Sequence, residues 1–168
     1  MRAVVVPAPG GPEVLQLVEL PDPEPGPGEI LVRVTAAGVN RADLLQRQGR
    51  YPPPAGASEL LGLECSGQVA ALGEGVEGWG VGDPCAALLA GGGYAELVVA
   101  PVGQVVPPPP RMSLVTAGGV MEAAATVWSN FAVAGLSDAD LVLVHGGAGG
   151  IGSFAIPYGR SLGARIAT

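Results

Sequence analysis

Leu141-Val142-Leu143-Val144-His145-Gly146-Gly147-Ala148-Gly149-Gly150-Ile151-Gly152 is the stretch on which the reading of this chain turns. Leu141 to His145 is a continuous apolar run, the pattern of a strand buried on both faces of a parallel sheet. Gly147, Gly149 and Gly152 follow at the spacing G-x-G-x-x-G, and a helix is predicted from about Ile151 to Leu162. Such a turn needs glycine for three reasons. The first allows a tight bend, the second lets backbone approach a diphosphate, and the third lets the helix pack on the strand. The free N–H groups at the helix start, with the positive end of its dipole, then face the anion. On this reading Gly147, Ala148, Gly149, Gly150, Ile151 and Gly152 cradle a diphosphate; the alternative is a glycine-rich βα turn without a ligand. Pro157 falls inside the helix, where it removes a backbone hydrogen bond at a cost of ~3 kcal/mol unless it lies in the first turns. Ala164 to Thr168 begins a second strand. Two strands cannot bury both faces of a parallel sheet, so this βαβ unit is expected to belong to a longer protein or to need a partner.

Upstream the period changes from buried runs to alternation. Candidate strands are residues 3–6, 14–20, 29–36, 64–72, 81–88, 94–100 and 104–106, with Ile30, Val32 and Val34 alternating against Arg33 and Thr35. Turn signals at Gly73 to Gly80 and Gly91 to Gly93 separate them. Short strands at this spacing predict a small closed or nearly closed β-barrel. One helix interrupts them: Asn40 can cap it, Asp43 sits at its third position as in a capping box, and Gly49 can end it. Pro107 to Pro110 is a stiff connector where the chain leaves the barrel. Beyond it, Ser113 caps a short helix and Met121 to Ala134 forms a longer one. The expected division is residues 1–112 as a β-rich domain and residues 113–168 as linking helices and the start of an α/β domain.

Composition narrows the chemistry. With 48% apolar and 14% charged residues in 168, the chain has material for a core. Its net charge is -7, and all eight basic residues are Arg. No basic run occurs, so nucleic acid is not an expected partner. Without Lys there is neither a Schiff base nor a Walker-A loop. No apolar stretch is long enough to span a membrane, and the start has no secretory pattern. Cys65, Cys85 and His145 are too few for a four-ligand Cys/His zinc site, so no metal is expected and the thiols read as reduced core residues.

Val39 to Gly49 (VNRADLLQRQG), Tyr51 to Ser58 (YPPPAGAS), Gly62 to Gly67 (GLECSG) and the glycine loop together resemble the medium-chain dehydrogenase/reductase superfamily. Within it they resemble the zeta-crystallin-type quinone oxidoreductases, and most of all the tumour-suppressor-inducible subfamily. The resemblance runs from Met1 to the end of the chain and implies the amino-terminal half of a protein about twice as long. It implies a GroES-like barrel followed by the first βαβ unit of a Rossmann domain, with the active site in the cleft between the two. It further implies zinc-independent, NADPH-dependent reduction of a quinone-like acceptor in a cytoplasmic protein that forms a homo-oligomer when full length. NADH stays open, because the residue that reads the ribose would lie beyond Thr168. Where zinc-dependent relatives carry Cys and His ligands, this chain has Asn40 and Leu63.

The resemblance also assigns roles. Asn40 is placed near the nicotinamide, Tyr51 beside the quinone and Thr126 at the nicotinamide end. An amide can orient a carboxamide, and a phenol can donate to a quinone oxygen or stack on its ring. Local sequence offers each a plainer role: helix cap for Asn40, loop anchor for Tyr51, and a back-bonded helix threonine for Thr126. Glu64 reads as structural, His145 as a packed residue at a strand end, and Trp79 and Trp128 as packing residues. The expected function is hydride transfer from NADPH to a quinone. The alternatives are a non-catalytic remnant or partner-binding barrel, and an alkenal or enone reductase on the same fold.

Overall fold

A computed structural model describes residues Met1–Thr168. The chain folds into two compact units, Met1–Met121 and Glu122–Thr168. The first is a half-barrel of antiparallel strands. Its strands are β1 (Arg2–Val5), β2 (Gln16–Glu19), β3 (Glu29–Ala37), β4 (Glu64–Leu72), β5 (Pro84–Leu88), β6 (Leu97–Pro101) and β7 (Val105–Val106). β1 and β2 form an antiparallel ribbon. The other five form one sheet in the order β6-β3-β4-β5-β7, leaving β6 and β7 as edges, so the sheet does not hydrogen-bond round into a closed barrel. The ribbon joins this sheet through Ala3 opposite Ala95 and through Val4 N–H on the Tyr94 carbonyl, 2.9 Å.

The alternation in β3 sets the core. Ile30 and Val32 are fully buried against Cys65, Val69, Cys85, Ala87, Val98 and Ala100, while Arg33 and Thr35 point to solvent. Burying each such Ile or Val stabilises the fold by about 1.5–3 kcal/mol. Register slips between Leu31 and Val32 and between Val34 and Ala36 bend β3 over β4. Gly67 sits at the second slip, where a Cβ would strike the Arg33 carbonyl.

Several strands are shorter than the sequence predicts. Pro12–Val14 forms a turn of 3-10 helix ahead of β2. β5 waits until Pro84 because Gly82, at φ +94, must turn the chain first. Residues 94–96 meet β1, and β6 proper starts at Leu97. The helix after Asn40 is α1 (Arg41–Arg47), and α2 (Leu114–Ala117) follows the prolines. α2 stays with the first unit, so the compact units meet nine residues after the 112/113 division read from sequence. Ser113 Oγ caps α2 by accepting Thr116 N–H at 3.1 Å, the buried Ser66 hydroxyl donates to the Leu114 carbonyl, and a Cβ at Gly118 would meet Ala36.

The second unit contains most of α3 (Met121–Ala134), then β8 (Leu141–Leu143), α4 (Gly150–Ser161) and β9 (Arg165–Ala167), with β8 and β9 parallel. Phe131 stacks on Tyr158 at 6.0 Å and Phe154 lies 5.9 Å from the same ring, tying α3 to α4. Gly159 lets α4 lie close, since a Cβ there would be 2.7 Å from Ile166 Cδ1. α4 continues through Pro157, which lies past its midpoint on an exposed side. The run Leu141 to Val144 is not buried on both faces. Val142 and Val144 are half-buried, but Leu141 and Leu143 are 62% and 60% exposed, because a two-stranded sheet has only one covered face. His145 and Trp128 are exposed as well, contrary to the packed roles the sequence suggests, whereas Trp79 does pack against the core.

Cys65 and Cys85 are free thiols, fully buried. Burial, with lesser help from Cys85 and Glu64, pushes the Cys65 thiol from an ordinary 9.0 up to about 12. Burial pushes Cys85 up to about 11 against the opposing effect of a Gly67 backbone hydrogen bond. Both folded values lie above the unfolded one, so the folded state holds these protons more tightly. Their contribution is complete below pH 9.0 and is lost as the pH rises toward 11 and 12. The expected result is a urea midpoint that falls steadily above about pH 9, with both thiols unreactive to a disulfide reagent at about pH 8 until the chain unfolds. A midpoint that is flat or rising over that range contradicts this account.

Candidate functional site

The glycine loop runs from the end of β8 to the start of α4. Gly146, at φ +72, makes the first bend. Gly149 N–H then closes the turn on the Gly146 carbonyl at 2.8 Å, and Ser153 N–H begins the helix ladder on the Gly149 carbonyl at 2.8 Å. Gly149 is the N-cap, and no side chain caps the helix. The first-turn N–H groups of Gly150, Ile151 and Gly152 are those an α-helix cannot satisfy internally. Ala148, Gly149, Gly150 and Ile151 are exposed, so no side chain plugs this end.

The glycines divide by cause. At Gly152 a Cβ would lie 2.6 Å from Gly147 Cα and 2.8 Å from its carbonyl carbon, so only glycine lets the helix sit this close to the loop. At Gly147 a Cβ would come within 3.1 Å of Ile156 Cδ1. At Gly150 nothing of the protein lies within 4 Å, and its φ is not positive. The fold itself gives no reason for glycine there. Gly146 lies outside the G-x-G-x-x-G frame, and its turn role was missed on that account; the doubled glycine after His145 was the available signal.

The polar residues of the first unit form a second constellation around Asn40. Asn40 N–H donates to Asp43 Oδ2 at 2.7 Å, the capping-box contact that the sequence predicts. Its side-chain Nδ2 donates to Glu64 Oε1 at 2.8 Å, across 24 positions of sequence. Asp43 and Glu64 are each 2% exposed. Asp43 also accepts Gly62 N–H at 3.0 Å and the Tyr94 hydroxyl at 3.0 Å. Gly62, at φ +103, has no room for a Cβ beside Gly93 and Tyr94, and Tyr94 N–H closes this loop on the Leu61 carbonyl at 2.9 Å. Burial first, then the charge and hydrogen bond of Asp43 and the charge of Glu64, hold the Tyr94 phenol well above its ordinary value. Tyr94 therefore stays a donor to Asp43. The sequence marks Glu64 only as a structural residue of GLECSG and gives Tyr94 no role, because the sheet brings them to this corner from distant positions.

Tyr51 lies in the loop after α1 and is 43% exposed. Thr126 is half-buried on α3, where its carbonyl accepts Asn130 Nδ2 at 2.7 Å. Asn40 and Tyr51 thus belong to the first unit, and Thr126 and the glycine loop to the second. A cavity of about 370 Å³ in the first unit, lined by Ser58, Leu89, Gly91, Leu97 and Gln104 among others, includes neither Asn40 nor Tyr51. Beside apolar residues it is lined by Glu29, Ser58 and Gln104, and none of the candidate residues read from the sequence lies in it.

Comparison with known proteins identifies the family and the fold. Residues 26–110 match the alcohol dehydrogenase GroES-like domain. The human synaptic vesicle membrane protein VAT-1 homolog-like is 40% identical over 153 residues, which is 90% of this chain and 36% of that protein. Among solved structures, the quinone oxidoreductase from Coxiella burnetii superposes with a TM-score of 0.87 at 29% identity, covering 99% of this chain and 55% of that one. Mycobacterial Rv1454c complexed with NADPH gives a TM-score of 0.85 at 35% identity, covering 99% and 52%. The chain spans about a third of the length of the curated relative and about half that of the solved chains. With its half-barrel followed by a short α/β segment, the chain belongs to the alcohol dehydrogenase GroES-like domain family, within the medium-chain dehydrogenase/reductase superfamily.

Proposed function

We propose that this chain binds NADPH at the glycine loop and serves zinc-independent hydride transfer to a quinone-like acceptor. The observation that carries the reading is the uncapped start of α4, where Gly152 clears the approach and Gly150 has no steric reason of its own to be glycine. A glycine in a helix costs about 1 kcal/mol against alanine, so a position without an internal need for it fits one that a ligand must approach. The donors there suit a diphosphate. When bound, NADPH supplies the hydride. The protein binds and orients. The N–H groups of Gly150, Ile151 and Gly152 hold the anionic centre, and the Asn40 carboxamide has the chemistry to pair with a nicotinamide carboxamide. Tyr51, exposed and phenolic, would stack on or hydrogen-bond to a quinone, and beside the hydride the hydroquinone would need one proton, taken from solvent. Likeness to a quinone oxidoreductase and to an NADPH complex supports this acceptor and this cofactor.

The test is fluorescence titration of the chain with NADPH, followed by NADPH oxidation with a small para-quinone. Binding at micromolar NADPH with quinone-dependent oxidation is expected. Oxidation with enals but not quinones assigns the enone-reductase chemistry instead.

A further inference from the structure

β6 is an edge strand. Its one neighbour in the sheet is β3, with Glu29 opposite Pro101, Leu31 opposite Val99 and Arg33 opposite Leu97. The ladder decides which backbone groups point outward. At one end Val34 N–H donates to the Glu96 carbonyl at 2.9 Å, and at the other Val102 N–H donates to the Gly28 carbonyl at 2.9 Å. Hydrogen-bonded and non-hydrogen-bonded pairs alternate along an antiparallel ladder, so Val98 and Ala100 spend their backbone on β3 while Leu97, Val99 and Pro101 turn theirs away. Proline has no N–H, which leaves the N–H and C=O groups of Leu97 and Val99 as the free edge. No turn or loop bonds them. Leu97 is buried and Val99 half-buried, so these groups lie in a recess, where an unpaired backbone group is costly. The recess is the cavity of about 370 Å³, whose walls include Leu89, Ser58 and Glu29 besides β6 itself. The other edge of the sheet is closed to pairing of this kind. β7 has two residues and runs straight into residues 107–110, all proline, which bring no donors.

We propose that the free edge of β6 is a docking site for an extended segment of a partner protein that carries a basic side chain, added to the sheet as a further strand. Main-chain bonds along the edge give affinity for an extended stretch, and the cavity chooses among side chains. β6 is five residues long. At about 3.3 Å per residue, a partner stretch of similar length covers it. Charge selects the basic residue. Glu29 is the one carboxylate side chain among the residues lining the cavity, and no arginine or histidine lines it. Glu29 Oε2 accepts Gly26 N–H at 2.8 Å, and Oε1 is left for a donor. The Met1 amine does not supply it, being held by Asp22 Oδ1 at 2.6 Å and by the Leu20 carbonyl at 2.8 Å. The site lies wholly in the first unit and needs nothing of the glycine loop.

The probe is an end-blocked peptide, Thr-Val-Arg-Val-Thr, titrated into the full chain at low salt while backbone amides are followed by NMR hydrogen exchange. In the free chain the amides of Leu97 and Val99 are expected to exchange at least about tenfold faster than those of Val98 and Ala100, and the peptide is expected to protect both. Glutamate in place of the peptide's arginine is expected to weaken binding about tenfold. Glu29→Gln is expected to weaken the arginine peptide about fivefold and to leave a glutamine peptide unchanged. Val99→Pro removes an outward N–H without taking a bond from the β3 ladder, so it is expected to abolish binding. Should Val99→Pro unfold the sheet, N-methylation of the peptide tests the same bonds on the unaltered chain and is expected to abolish binding too. No protection at millimolar peptide, an N-methylated peptide that binds like its parent, or a glutamate peptide that binds as tightly overturns the proposal. Protection of Leu97 and Val99 that rises with protein concentration in the absence of peptide assigns the edge to a second copy of this chain and overturns it as well.

Discussion

Gly152→Ala is expected to raise the NADPH dissociation constant by at least ~100-fold, a loss of about 2.7 kcal/mol. The added Cβ would stand 2.6 Å from Gly147 Cα and 2.8 Å from the Gly147 carbonyl carbon, separations that real Cβ contacts do not reach. The obstruction is backbone, not the end of a flexible side chain. The loop or the first turn of α4 must therefore move, and N–H groups that converge on a diphosphate cannot keep their geometry when it does. Gly150→Ala is the control, because nothing of the protein lies within 4 Å of that position. It should stabilise the helix by about 1 kcal/mol in the absence of ligand, through helix propensity alone. Any loss of affinity at Gly150 then reports a ligand against that surface rather than damage to the fold. Fluorescence titration read beside thermal unfolding separates the two. A Gly152→Ala chain that binds NADPH like the unaltered one would remove the glycine loop from the site.

Local patterns were legible, and distant meetings were not. The alternation of Ile30 and Val32 with Arg33 fixed the buried face of β3, and the spacing from Asn40 to Asp43 announced the helix start together with its reciprocal contact. The turn from β8 into α4 also stood in the sequence, since apolar run, glycines and helix pattern follow in order. Burial in the second unit did not, because it depends on what covers a sheet. Leu141 and Leu143 read as buried from their apolarity, yet lie on the uncovered face of two strands. His145 and Trp128 are exposed in that same unit. The Asn40–Glu64 and Tyr94–Asp43 hydrogen bonds span 24 and 51 positions. Only the pairing of β4 with β3 and the zipping of Leu61 and Gly62 to Gly93 and Tyr94 bring them about, and no spacing rule encodes that. Glu64 reads as structural within its glycine motif, and its hydrogen bond from Asn40 Nδ2 is what the structure adds.

Asp43→Ala is expected to be the most destabilising single change in the first unit, costing about 3–5 kcal/mol. Asp43 is 2% exposed and takes three donors: Asn40 N–H at 2.7 Å, Gly62 N–H at 3.0 Å and the Tyr94 hydroxyl at 3.0 Å. Truncation leaves two backbone donors and a phenol without that partner, where water reaches poorly. The cost is large against a total stability of about 5–15 kcal/mol. Asp43→Asn keeps the volume but replaces one acceptor oxygen by an NH2 group, which must face at least one of the three donors, so about 2–3 kcal/mol is expected. Tyr94→Phe removes one donor and leaves Asp43 the other two; about 1 kcal/mol is expected. In the Asp43→Ala background Tyr94→Phe should cost less than it does alone, since the phenol has already lost its partner. Urea unfolding measures all four chains, with the midpoint shifted and the slope unchanged. If Asp43→Ala costs no more than Tyr94→Phe, the carboxylate does not organise this corner. The pairing of α1 with the Gly62 loop then needs another cause.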